Sequence, residues 1–203
     1  MTARRPRIAA SGVATGRGDD GTTGLLFGGP RVTKDDLATE AYGTIDEAVA
    51  ALGLARAELP AGDMAALILR LQRELFVVGA ELATTPGALD RLTDGVTRVS
   101  EPMLEALEAT LAAHEAAIQM PREFVVPGET RASAALEVAR TVVRRAERRI
   151  VTLQRERGGP GPWLLPYLNR LADLLWILAR EAEQAASRSA VPARPSPRGK
   201  RTL

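Results

Sequence analysis

A chain of 203 residues, 45% of them hydrophobic and only 3% aromatic, is long enough for one sizeable core and points to helices packed through Ala, Leu and Val. The absence of cysteine excludes disulfides and thiolate chemistry, and no window approaches the roughly 18 apolar residues of a membrane span. Charge excludes a nucleic-acid-binding core: of 27 basic residues, five lie in 187–203 and three in 1–10, which leaves 19 against all 25 acids in residues 11–186, a formal charge of −6.

The basic opening MTARRPRIAASG carries no apolar run of signal-peptide length, so a cytoplasmic protein is expected. Residues 1–12 read as a basic flexible N-terminus, 13–186 as a single helical domain, and 187–203 as a disordered basic tail.

Residues 15–24, TGRGDDGTTG, precede the first helix. Two readings stay open for them: a flexible arm, or a backbone cradle in which glycines let N–H groups approach phosphate. Thr15, Thr22 and Thr23 would add hydroxyls, and Asp19 or Asp20 could position a metal-bound water. The stretch is neither a P-loop nor a dinucleotide fingerprint, having no GK[ST] and no flanking strand.

Helical periodicity then takes over. Helices are expected over about Asp36–Glu58, Met64–Ala83, Ser100–Gln119, Arg131–Arg157 and Trp163–Ala186, with a loop at 87–99 and a short extended link at PREFVVPGET. Ser100 is expected to cap the third helix, with Pro102 in its first turn. Five helices with short connections make an all-α bundle.

Two helices carry polar residues in unusual places. In LEVARTVVRRAERRIVTL, Leu136, Ala139, Val143, Ala146, Ile150 and Leu153 form an apolar stripe, while Glu137, Arg140, Arg144, Glu147 and Arg148 gather opposite. This is either a solvated face with i,i+4 pairs or a guanidinium-rich phosphate site; five arginines between 140 and 149 exceed what solubility requires. In YLNRLADLLWILAR, Asn169, Asp173, Trp176 and Arg180 share a narrow strip in an otherwise apolar helix, expected to be buried or half-buried. A structural hydrogen-bond network and the lining of a site are equally open readings. His114, the only histidine, reads as a surface residue, and no metal-ligating set is seen.

Three blocks together carry a resemblance that none carries alone. TGRGDDGTTGLLFGGPRVTKDD with AYGTIDEAVAALGLA, then FVVPGETRASAALEVARTVVRRAERRIV, then YLNRLADLLWILAR, resemble in order and spacing the PduO-type ATP:corrinoid adenosyltransferases, from about residue 13 to residue 182. The resemblance implies a ferritin-like five-helix bundle with a glycine-rich N-terminal nucleotide-binding loop, assembled as a homotrimer with sites between subunits. The implied activity is transfer of the 5′-deoxyadenosyl group of ATP to Co(I) of cobalamin, giving adenosylcobalamin and triphosphate. ATP, Mg²⁺ and cobalamin are the implied ligands, with a flavin-dependent reductase and an adenosylcobalamin-dependent mutase as implied partners, and no nucleic acid or membrane.

By position, the resemblance places Phe124 against the lower cobalt face and pairs Arg140 with Asp46 across a subunit boundary. Thr15, Gly18, Asp19, Gly21, Thr22 and Thr23 match the ATP loop, and Lys34 a basic residue near the phosphates. Arg144, Glu147, Arg148 and Asn169 match nucleotide-contacting positions, and Asp173 falls in the same signature. Three positions depart from the pattern. Gly16 stands where the family has Lys or Arg, with Arg17 one place later; Glu129 replaces a glycine; Glu137 replaces a histidine on the corrinoid side. A carrier of adenosylcobalamin gated by ATP, without catalysis, is the alternative these departures leave open. A third, polyanion binding by the basic tail, would disappear with residues 187–203.

Overall fold

The computed structural model describes residue 11 and residues 13–194. Five α-helices follow two short strands: β1 (Thr22–Thr23), β2 (Val32–Thr33), α1 (Leu37–Ala57), α2 (Asp63–Leu82), α3 (Glu101–Ala117), β3 (Val125–Val126), α4 (Arg131–Arg157), α5 (Leu164–Ala185) and β4 (Val191–Pro192). A 3-10 turn, Pro86–Arg91, occupies part of the expected loop after α2. In space the helices pack in the order α2, α1, α4, α5, α3, with α4 between α1 and α5.

Small residues set the closeness of that packing. Ala41, Ala48 and Ala55 on α1, Ala139 and Ala146 on α4, and Ala179 on α5 are fully buried beside leucines of α5. The six stripe residues of α4 are all buried, as their period requires. Asp36 caps α1, its carboxylate accepting from Ala38 N–H at 2.9 Å. Thr130 and Ser133 form a reciprocal capping box that starts α4 at Arg131.

Ser100 is the N-cap residue of α3, with Pro102 in the first turn as expected, but the cap is made by the backbone. Its hydroxyl makes no capping bond, because Pro102 at the second helical position has no N–H to offer; Met103 N–H goes to the Ser100 carbonyl at 3.1 Å instead. His114 also differs, being half-buried with Nδ1 2.6 Å from Glu181 Oε2, because α3 lies against α5.

The domain expectation meets the structure at two places. Residues 1–10 and 12, and residues 195–203 of the tail, lie outside the described residues. Residues 187–194, assigned to the disordered tail, instead turn back. Ser187 adopts φ 55°, β4 pairs antiparallel with β3, and Ala193 N–H donates to the Phe124 carbonyl at 2.7 Å. Val191 and Pro192 lie opposite Val126 and Val125, so the edge of the link is closed by the chain's own tail. No helix of the described residues is long and apolar enough to cross a membrane.

Candidate active site

The glycine-rich stretch is a shaped loop held by side chains. Asp20 accepts from Thr22 N–H at 2.9 Å and from the Thr22 hydroxyl at 2.8 Å. Those bonds from Thr22 hold the Asp20 carboxyl below its usual value, with Arg31 adding to the effect. Arg31 then ties the loop to β2: Nε donates to Thr22 Oγ1 at 2.7 Å, and Nη2 donates to the carbonyls of Arg17 at 2.7 Å and Thr22 at 2.9 Å. Gly16 has φ 65°, a conformation a lysine or arginine adopts only with strain, so the cation of the family pattern cannot sit there without cost. Gly18 leaves room for Lys34: a Cβ at this glycine would come within 3.0 Å of Lys34 Nζ.

The loop and its hairpin rest on the C-terminal end of α2. Leu26 N–H donates to Ala83 C=O at 2.8 Å, and the Thr85 hydroxyl donates to the carbonyls of Leu26 and Gly28. Arg157, at the far end of α4, grips Asp36 at 2.7 and 2.8 Å just after the hairpin.

The arginines of α4 divide by their partners. Arg131 grips Glu58 with two bonds of 2.9 and 2.8 Å, Arg145 meets Glu47, and Arg149 lies 3.6 Å from Glu40, all carboxylates on or at the end of α1. Arg140 Nε donates to Glu137 Oε2 at 2.6 Å. Arg144 and Arg148 are exposed, and their guanidinium groups make no hydrogen bond or ion pair among the described residues. Beside them Glu147 accepts a long bond of 3.4 Å from Asn169 Nδ2, and Asn169 Oδ1 accepts from Arg170 at 3.0 Å.

A third group lies toward the start of α4. Phe124 is 91% exposed and borders an open cavity of about 600 Å³ with Val125, Pro127, Trp176, Glu137 and Arg140. Behind it, Arg180 and Glu183 are each 1% exposed and Glu137 4%.

The structure therefore brings the expected residues into three clusters and leaves some apart. Thr15 to Thr23 gather with Lys34, Phe124 with Arg140, and Arg144, Glu147 and Arg148 with Asn169. Asp46 is exposed on α1 and pairs with no residue among those described, so Arg140 has Glu137 as its partner within the chain. Asp173 corrects the expectation of a buried strip: its side chain is 53% exposed, 4.0 Å from Arg170, because it lies on the outer edge of α5. No hydrogen bond or ion pair joins residues 15–24 to Arg144, Arg148 or Asn169 among the described residues. Thirteen residues of helix separate Arg144 from Arg157, about 20 Å along the axis. Sequence reasoning missed Arg31 altogether. It precedes β2, and only its long side chain reaches back to Thr22, across a hairpin whose strands are two residues long.

The comparisons with known proteins fall on this same span. The family model described as cobalamin adenosyltransferase matches residues 13–182. The chain belongs to the cobalamin adenosyltransferase family. A corrinoid adenosyltransferase of Citrobacter freundii is 41% identical over 177 residues, covering 84% of this chain and 94% of that one. One from Bacillus subtilis (strain 168) is 38% identical over 170 residues, covering 82% and 83%. Among solved structures, a variant PduO-type ATP:corrinoid adenosyltransferase from Lactobacillus reuteri, complexed with cobalamin and ATP, superposes with a TM-score of 0.80 at 29% identity, covering 89% of this chain and 98% of that one.

Proposed function

We infer that the protein transfers the 5′-deoxyadenosyl group of ATP to the cobalt of cobalamin. The Co(I) electron pair forms the bond to C5′, the C5′–O bond breaks, and triphosphate leaves with the electron pair of that broken bond. The observation that carries this reading is the division of the α4 arginines. Arg144 and Arg148 have no carboxylate partner among the described residues, while Arg131, Arg140, Arg145, Arg149 and Arg157 each have one. Two neighbouring guanidinium groups without carboxylate partners are suited to a polyphosphate leaving group.

The roles follow from placement. Thr15, Arg17, Gly18, Asp19, Gly21, Thr22, Thr23 and Lys34 would cradle the phosphates, with Arg31 keeping the loop in shape. Arg144, Glu147, Arg148 and Asn169 would hold the nucleotide from the other side. Phe124 would close the lower face of the corrinoid and exclude water from cobalt. Catalysis then rests on positioning and charge neutralisation rather than on a general base. No group of three or more His, Asp or Glu among the described residues could hold a metal, so Mg²⁺ would come to the site on the phosphate oxygens, neutralising charge there.

The separation of loop and arginine face within one chain supports a site shared between copies. A homotrimer would bring the loop of one subunit to α4 and α5 of the next, and Asp46 of one subunit to Arg140 of the next. A cytoplasmic location, a flavin-dependent reductase and a recipient mutase complete the proposal. Anaerobic incubation with ATP, Mg²⁺ and chemically reduced cobalamin tests it: the Co(I) spectrum should give way to that of the alkylated cofactor with release of triphosphate. Binding of ATP and adenosylcobalamin without conversion would favour the carrier reading, and neither binding nor conversion would overturn both.

A further inference from the structure

Glu137 stands where the family pattern has histidine, and its carboxylate is fully engaged. Oε2 accepts from Arg140 Nε at 2.6 Å, and Oε1 lies 3.3 Å from Arg180 Nη2. Arg180 is itself pinned by Glu183 Oε1 at 2.9 Å and lies 5.5 Å from the centre of the Trp176 ring. Nε and Nη1 of Arg180 and Oε2 of Glu183 are buried without a hydrogen-bond partner among the described residues, so the contacts of Glu137 and Glu183 to Nη2 are what hold the Arg180 charge. Two carboxylates and two guanidinium groups balance in charge. Removing one member would leave a buried charge unpaired.

The consequence falls on Arg140. Among the described residues only its Nε is bonded, its side chain is 25% exposed, and it borders the Phe124 cavity. A planar guanidinium fixed at Nε keeps both Nη groups available to a second acceptor in a defined plane. A neutral imidazole offers a single acceptor nitrogen and cannot bridge two guanidinium groups. We propose that Glu137 is a positioning residue that sets the plane of Arg140 at the corrinoid side of the site, held in turn by Arg180 and Glu183. The proposal rests on the adenosyltransferase reading and deepens it.

The test is a mutant cycle with the full chain. Glu137→Gln keeps the shape and removes the charge. It should lower kcat for adenosylation starting from Co(II) about tenfold, with the ATP KM within about twofold of wild type. In an Arg140→Ala background the same substitution should change kcat less than about twofold, because its target is gone. Sites are counted by ATP titration, so lost protein is not read as lost rate. Should Glu137→Gln fail to fold, Arg180→Lys serves instead, with an expected loss of about threefold that also vanishes without Arg140. An unchanged kcat, or equal losses with and without Arg140, would overturn the proposal. A wild type that binds ATP and never alkylates cobalamin would overturn the functional reading beneath it.

Discussion

Two edges of the same helix teach what the arginines of α4 are for. On the edge facing α1, Arg131, Arg145, Arg149 and Arg157 meet Glu58, Glu47, Glu40 and Asp36 in turn along two antiparallel helices. Arg144 and Arg148 lie in the same stretch of sequence, are exposed too, and meet no carboxylate among the described residues. Identical chemistry thus divides into a structural seam and a cationic edge without carboxylate partners among the described residues. The difference comes from the partner helix, since the acids of α1 recur at positions that reach only one side of α4.

Substitutions on the two edges should therefore separate sharply. Arg144→Ala should raise the ATP KM by a factor that reflects one lost charge-assisted bond, roughly 1.5–3 kcal/mol. Steady-state kinetics check this, and an unchanged KM would move Arg144 to the structural side of the comparison. Phe124→Ala sharpens it from the other ligand: adenosylation starting from Co(II) should fall at least about tenfold relative to that from Co(I), with ATP affinity retained, about 1.4 kcal/mol or more. Equal losses in both assays would contradict the lower-face role.

Smaller effects belong to the seam. Asp36→Ala removes both the α1 cap and the Arg157 pair, and should lower stability by about 1 kcal/mol in a denaturation experiment. The Asp36 carboxyl also gives the seam a pH signature. Burial pushes its pKa upward, but the Ala38 N–H and Arg157 outweigh that and hold it below its usual value. A lowered folded pKa contributes stability that is present above the usual carboxylate pKa and is lost as pH falls below it through the lowered folded pKa. The melting-temperature gap between wild type and Asp36→Asn should therefore be full near neutral pH and close below about pH 4. Arg145→Ala, an exposed pair, should cost about 0.2–1 kcal/mol of stability and leave the ATP KM unchanged.

The helices were legible because their signals are local. Thr130 before and Gly158 after α4 mark Arg131–Arg157, and the apolar stripe follows the helical period. Which arginines are paired was not legible, because it depends on the register of Glu40 and Glu47 across a helix almost a hundred residues away. The hairpin that brings Arg31 to Thr22, and the return of Val191 and Pro192 to β3, rest on strands of two residues, too short to show a period. Glu137 looked like one more member of a charged face; its burial against Arg180 needed α5 in place. Among the site residues, the resemblance supplied the roles, and within one chain no hydrogen bond or ion pair among the described residues joins the loop to Arg144, Arg148 or Asn169.

The most direct test compares two double variants by calorimetric titration with ATP and Mg²⁺. Arg144→Ala with Arg148→Ala should weaken ATP binding by at least about a hundredfold, while Arg145→Ala with Arg149→Ala should stay within about threefold of wild type. If both pairs weakened binding alike, or the first left it unchanged, the division of α4 into a seam and a phosphate edge would be wrong.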